Sequence, residues 1–280
     1  MSGSKAQPLQ GRAMKRKKTS SFSLLFGIIF ISIPVFSQTP ISYNELKNRV
    51  AGELRHFTEI TGMASQFKPL SGASPLGIWG GNFGVELTSI PQDGFRILGQ
   101  PIKTPLFFPR LHLAKGLTPN LDMELSALVS KVIESAVDLP EEAKNLQIYG
   151  GGLKYSILTD DSYPFSLAAR ATYTYTRFNL GLFLSDTYGA DISVSRSLAL
   201  SAFPLSFTPY AGMGYVVING MFRKDFLDLT KTDHSYLVQE YRYFTGMSMR
   251  LFLLNVTGEA DFGNPSEANT YSLKVGLNIF

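Results

Sequence analysis

The stretch Phe165-Ser-Leu-Ala-Ala-Arg-Ala-Thr-Tyr-Thr-Tyr175 decides the fold. Successive side chains of an extended chain point to opposite faces. Phe165, Leu167, Ala169, Ala171, Tyr173 and Tyr175 therefore share one face, and Ser166, Arg170, Thr172 and Thr174 the other. This period of two predicts a strand buried on one side only. The same alternation recurs in both directions. Upstream it runs through Phe83–Thr88, Phe107–Leu113, Leu121–Ser130 and Tyr149–Ile157. Downstream it runs through Tyr188–Ser195, Ala211–Val217, Tyr243–Leu251, Val256–Phe262 and Tyr271–Ile279. Pro109 interrupts one segment and predicts a bulge there.

About ten amphipathic strands fit either a soluble sandwich or a closed barrel in a membrane. The segments have room for about 9–11 residues, the length that crosses a bilayer when tilted. Their polar face carries long charged side chains in mid-strand, as a hydrated lumen would, and their apolar face carries many Tyr and Phe near segment ends. Connections alternate in length. Lys115–Asn120, Thr159–Pro164 and Leu253–Asn255 are tight, with the longer Ser197–Pro209 on the same side; Ile90–Thr104, Ser135–Gln147 and Asn219–Gln239 are long. Short periplasmic turns with longer outer loops are the membrane-barrel pattern. The expected class is all-β: a closed antiparallel transmembrane barrel of about ten strands over residues 76–280, with eight or twelve as alternatives.

The composition agrees once the charge is located. The 280 residues carry a net charge of +4, with 26 Lys and Arg, 22 Asp and Glu, and no Cys. A disulfide scaffold, a Cys-ligated metal site and a Cys-anchored lipoprotein are excluded. Charged residues make up 17%, against roughly 25% in an ordinary soluble domain. Residues 1–37 hold six of the basic side chains (Lys5, Arg12, Lys15, Arg16, Lys17, Lys18) and none of the acidic ones, so the rest of the chain sums to −2. Lys15–Lys18 followed by the apolar run Phe22–Val35 reads as a cleavable signal peptide, with cleavage before Gln38. Met14 is an alternative start, which would make residues 1–13 an upstream artefact. Nucleic-acid binding has no support, because the one dense basic cluster lies in the leader.

Between leader and barrel, Tyr43, Leu46, Val50, Leu54, Phe57 and Ile60 recur at helical spacing. An amphipathic helix is predicted over residues 42–61, with Ser42 and Glu45 as a capping box and Gly62 as the stop. Lys68–Pro75 reads as a linker, so residues 38–75 form a helix-and-linker appendage. The helix has three expected placements: plugging the periplasmic mouth, entering the lumen, or lying on the membrane.

The hairpin Lys115-Gly-Leu-Thr-Pro-Asn-Leu-Asp-Met-Glu-Leu125 resembles the periplasmic hairpins of bacterial outer-membrane barrels. Tyr149-Gly-Gly-Gly-Leu-Lys-Tyr155, Tyr188–Ser195 and Thr208–Tyr215 resemble segments of an uncharacterised family of those barrels. The resemblance covers residues 76–280 and implies a fold, an outer-membrane location, and outer-membrane lipid and the barrel-assembly machinery as partners. It implies little about activity. Phe280 is one position out of phase with the outward Leu273, Val275, Leu277 and Ile279, so a bulge or an atypical assembly signal is expected at the last strand.

No catalytic constellation stands out. His56, His112 and His234 fall in the helix, a strand and a loop, without the spacing of a Ser-His-acid triad. Gly150-Gly-Gly152 lacks the Lys-Ser/Thr of a phosphate cradle and reads as easing either curvature or close packing. Asp122/Glu124 and Glu259/Asp261 each set two carboxylates about 7 Å apart on one strand face. Cation ligation and salt-bridging are both open to them. The near balance of inward acids (Glu86, Asp122, Glu124, Asp191, Glu259, Asp261) and bases (Arg110, Lys154, Arg170, Arg250, Lys274) favours mutual pairing. No enzyme activity, cofactor or metal is expected. The expected function is narrow, selective passage of a small solute, with the helix's apolar face hinting at an apolar one. The alternative is a non-conducting structural or adhesive surface protein. Its contacts would come from the outer loop, with Phe222, Arg223, Lys224 and Phe226 as candidates.

Overall fold

The computed structural model describes residues 43–90, 96–97, 100–101, 106–129, 146–178, 183–200, 203–223, 234–264 and 269–279. The leader, its cleavage site, Ser42, Lys224, Phe226 and Phe280 lie outside the described residues, as do the side chains of Leu46 and Val50.

Among the described residues one helix, α1 (Tyr43–Ser65), precedes thirteen strands. Ten of them form a closed antiparallel barrel: β1 (Gly81–Ile90), β4 (Leu106–Gly116), β5 (Leu121–Val129), β6 (Gln147–Leu158), β7 (Ser166–Phe178), β8 (Phe183–Ser195), β10 (Leu205–Phe222), β11 (His234–Leu251), β12 (Leu254–Asn264) and β13 (Thr270–Ile279). Each pairs with its neighbour in the chain, and β1 closes the cylinder on β13, from Gly81↔Ile279 to Ser89↔Tyr271. The short β2 (Arg96–Ile97) and β3 (Gln100–Pro101) pair with each other, and β9 (Leu198–Leu200) extends β10 at one end.

The wall is dry outside and polar within. Outward Phe83, Val85, Leu113, Tyr155, Ile192, Met247, Leu273 and Val275 are about half exposed, while inward Glu86, Arg110, Asp122, Lys154 and Asp261 are buried. This inversion of the soluble rule suits a lipid-facing exterior. No described helix is long and apolar enough to cross a membrane.

Three local expectations change. Pro109 sits in an unbroken ladder opposite Leu87; its ladder to β5 begins only at Leu111, so the missing N–H breaks nothing, and the register shift falls instead at Ser156/Leu158 of β6. β13 pairs without a shift with β1 as far as Ile279 and with β12 as far as Leu277. Strand runs into both ends of the segment read as the long loop Asn219–Gln239, since β10 and β11 pair continuously from Leu205↔Leu251 to Phe222↔His234.

The two ends of the barrel differ. One carries the tight turns 117–120, 159–165 and 252–253, together with Gly80–Gly81 at the start of β1. The other carries the longer connections 91–105, 130–146 and 223–233.

Candidate functional site

The lumen is occupied by the chain's own N-terminal segment. α1 enters at the long-loop end, and residues 66–80 continue without helix or strand to the tight-turn end, bent at Ala73–Ser74 and turning at Ile78–Trp79, where β1 begins. Every residue from Thr61 to Leu70 is buried. The expected linker Lys68–Pro75 is therefore an irregular part of a lumen plug, and the helix takes the second of its three expected placements.

The upper lumen is apolar. Ile60, Met63 and Ala64 of α1 pack on inward Phe108, Leu128, Ile148, Val216, Ile218 and Val238. Phe57 packs edge-on to Phe183 at 5.2 Å and tilted on Phe222 at 5.8 Å. Phe222 is thus no outer-loop contact but a buried wall residue facing the helix, while Arg223, the next residue, is exposed. Gly62 does not stop the helix; it lets α1 pass against Ile218. The helix has no basic residue in its last turn. Arg110 of β4 supplies that charge, donating Nη1 to Ser65 O (2.8 Å) and Gln66 O (2.9 Å). A cation at a helix C-terminus satisfies orphan carbonyls and the dipole together.

The lower lumen is charged, and its groups hold the irregular segment by its backbone. A backbone inside a lumen must bond to protein wherever water is excluded. Phe67 N–H donates to Thr174 Oγ1 (2.7 Å), Ala73 N–H to Ser195 Oγ (2.8 Å), and Leu76 N–H to both oxygens of Asp122 (3.1 Å). Lys154 Nζ donates to Gly72 O (3.3 Å) and Ser74 O (2.9 Å), and Lys274 Nζ to Pro69 O (3.2 Å). Ser71 Oγ donates to Glu124 Oε1 at 3.2 Å. The Phe67 ring stacks on His112 at 5.5 Å and lies over Gly150 and Gly152, where a Cβ would stand 3.0 Å and 3.3 Å from it. The glycine run is a seat for that ring, which is the second of the two readings its sequence left open.

Ion pairs complete the wall. Arg110 pairs with Glu86, Lys154 with Asp122 (2.9 Å), and Arg170 with Asp191 (2.9 Å). Arg242 pairs with Asp261 and with Glu259 (2.6 Å), stands 3.7 Å from Asp191, and lies over the Phe244 ring at 4.4 Å. Tyr210 donates to the second oxygen of Glu259 at 2.9 Å. Lys68 of the plug pairs with Asp261 (3.0 Å) and donates to Thr270. Ten of the eleven charges named from sequence are buried in the lumen. Arg250 is the exception: it sits exposed at the tight-turn rim and donates to Phe252 O. Sequence reasoning missed Arg242 and Lys68. The first lay beside a segment read as loop and the second in a segment read as linker. Among the described residues the four acids Asp122, Glu124, Glu259 and Asp261 gather no cluster fit for a metal ion.

A cavity of about 230 Å³ remains at the tight-turn end, between the irregular segment and the wall. Outside the strands, Asp160 ties the turns together. It accepts from Ser74 Oγ (3.3 Å) and Ser197 N–H (3.2 Å).

No protein-family model matches the chain, and no curated protein does. Among solved structures it is similar to the outer membrane protease OmpT from Escherichia coli (9% identity, 71% of this chain and 95% of that one, TM-score 0.32). It is also similar to the β domain of the Bordetella autotransporter BrkA (10% identity, 71% and 98%, TM-score 0.35). A third is the N-terminal β-barrel domain of OprF from Pseudomonas aeruginosa (10% identity, 70% and 96%, TM-score 0.29). The barrel architecture of this chain rests on its own strand pairing, closed between β1 and β13.

Proposed function

We propose that the protein is an outer-membrane barrel sealed by the segment that precedes its first wall strand, serving as a non-conducting structural protein of the cell surface. The observation behind this reading is the occupied lumen. The plug is bonded along its length, to Arg110 at Ser65 and Gln66, to Lys274 at Pro69 and to Asp122 at Leu76. The apolar lining that would suit an apolar solute is already covered by Phe57, Ile60, Met63 and Ala64. The exported leader and the pattern of short inner turns and longer outer loops support the orientation. A narrow selective channel is the second reading. It is favoured by the polar cavity that enters from the tight-turn end, and it requires the segment around Phe67–Pro75 to leave.

Conductance in planar bilayers separates the two. The whole protein is expected to be silent and a form lacking residues 38–75 to conduct. Steady conduction by the whole protein would overturn the sealed reading; silence in both forms would remove the channel.

A further inference from the structure

Lys274 projects from β13 into the lumen and is 2% exposed. Its ladder partner on β1 is Glu86, whose Oε1 pairs with Arg110 and accepts from Thr88, two residues along the same strand. Among the described residues Lys274 has no carboxylate within ion-pair distance, and Pro69 O takes one of its three protons. A buried ammonium held by one carbonyl is costly without a counter-charge. Arg250 on β11 stands exposed at the rim, with Nε on Phe252 O and no acid partner among the described residues.

Both side chains line the 230 Å³ cavity, together with Ser248, Asn255, Asn278 and Glu124. Lys154 also lines it but is matched by Asp122. Among the lining residues Lys274 and Arg250 thus stand with one acid, Glu124, and Glu86 lies beside Lys274 on the neighbouring strand. Around them stand a hydroxyl and two amides able to complete a hydrogen-bond shell. The volume is below the roughly 300–1,000 Å³ of sites for drug-sized ligands, so the occupant is small.

We infer that this cavity is a binding site for a small oxyanion, bearing a carboxylate or a phosphate group and arriving from the tight-turn side. Lys274 supplies a fixed point charge at the floor. Arg250 supplies the planar fork that grips two oxygens at the mouth. Bound there, the anion neutralises the floor beneath Pro69 and so adds to the hold on the irregular segment. Binding needs the cavity alone and does not require the barrel to be sealed.

Calorimetric titration of the full-length protein, refolded in detergent micelles at low ionic strength, tests it with inorganic phosphate and, separately, citrate. Saturable one-to-one binding of at least one is expected, and the tighter of the two assigns phosphate or carboxylate as the recognised group. Arg250→Gln and Lys274→Met are each expected to weaken binding at least tenfold, and Lys274→Arg to retain it. Arg223→Gln, at the opposite end, is expected to change nothing. Absence of saturable binding to both anions overturns the site, as does binding by Arg250→Gln equal to that of the parent. Arg250 is exposed at the rim, so its variant folds and tests the site even if Lys274→Met does not fold.

Discussion

Gly62 of the lumen helix lies so close to Ile218 of β10 that a Cβ on the glycine would stand 2.5 Å from Ile218 Cγ2. The contact is to the stiff, β-branched part of that side chain, which cannot swing aside cheaply. Gly62→Ala is therefore expected to destabilise the protein by about 1–3 kcal/mol through overpacking. Ile218→Ala in the same chain should relieve the clash, so the pair costs less than the sum of the two single changes. Urea unfolding from lipid vesicles measures the cycle, and additive costs would show that the helix does not seat here.

The Lys68–Asp261 pair should prove unequal when cut from its two sides. Asp261→Asn leaves both Lys68 and Arg242 without that carboxylate, at an expected cost of about 3–5 kcal/mol. Lys68→Met leaves Asp261 still paired with Arg242 and should cost less. Equal losses in the same unfolding assay would mean that Arg242 does not hold Asp261 in the way described.

The absence of cysteine makes the threading direction directly testable. Gly52 is exposed on the entering half of α1, and Ser162 is exposed in a tight turn. A membrane-impermeant maleimide should label Gly52→Cys in intact cells. Ser162→Cys should react only after the outer membrane is permeabilised. The reverse pattern would invert the barrel.

Asp160 lies in a turn, outside the spanning strands. Partial burial pushes its carboxyl up, but the Ser197 N–H and the Ser166 hydroxyl outweigh this and hold it below the usual carboxylate range. A depressed folded-state value means that the tie between the turns is fully present above the unfolded value of about 3.9 and is lost as pH falls through the folded one. An NMR titration at the Ser197 amide should show a midpoint below about 3.9, absent in Asp160→Asn.

The wall was legible because lipid outside and charge inside give a clean period of two, as in Phe165–Tyr175. The pattern blurred where the plug lies. Near the long loops the lumen meets a helix rather than charged groups, so Phe222, Ile218 and Val238 face inward while Ser235 and Gln239 face out. Strands there read as loop, and Arg242 was hidden with them. The segment from Gln66 to Pro75 carried no period at all. Its anchors are mostly its own N–H and C=O groups, which nearly every residue possesses and no sequence advertises. Arg250 had the right parity, but parity fixes a face and says nothing of depth along the barrel.

The seam between β1 and β13 joins the first wall strand to the last. The segment inside it is continuous with β1 at one mouth and leaves through the other. Feeding it through a finished cylinder would drag a charged helix past the Arg110 and Lys154 side chains in a space they already fill. The order of assembly follows: the segment is laid down first and the seam is fastened around it, so the enclosed chain acts as the former on which the barrel is wound.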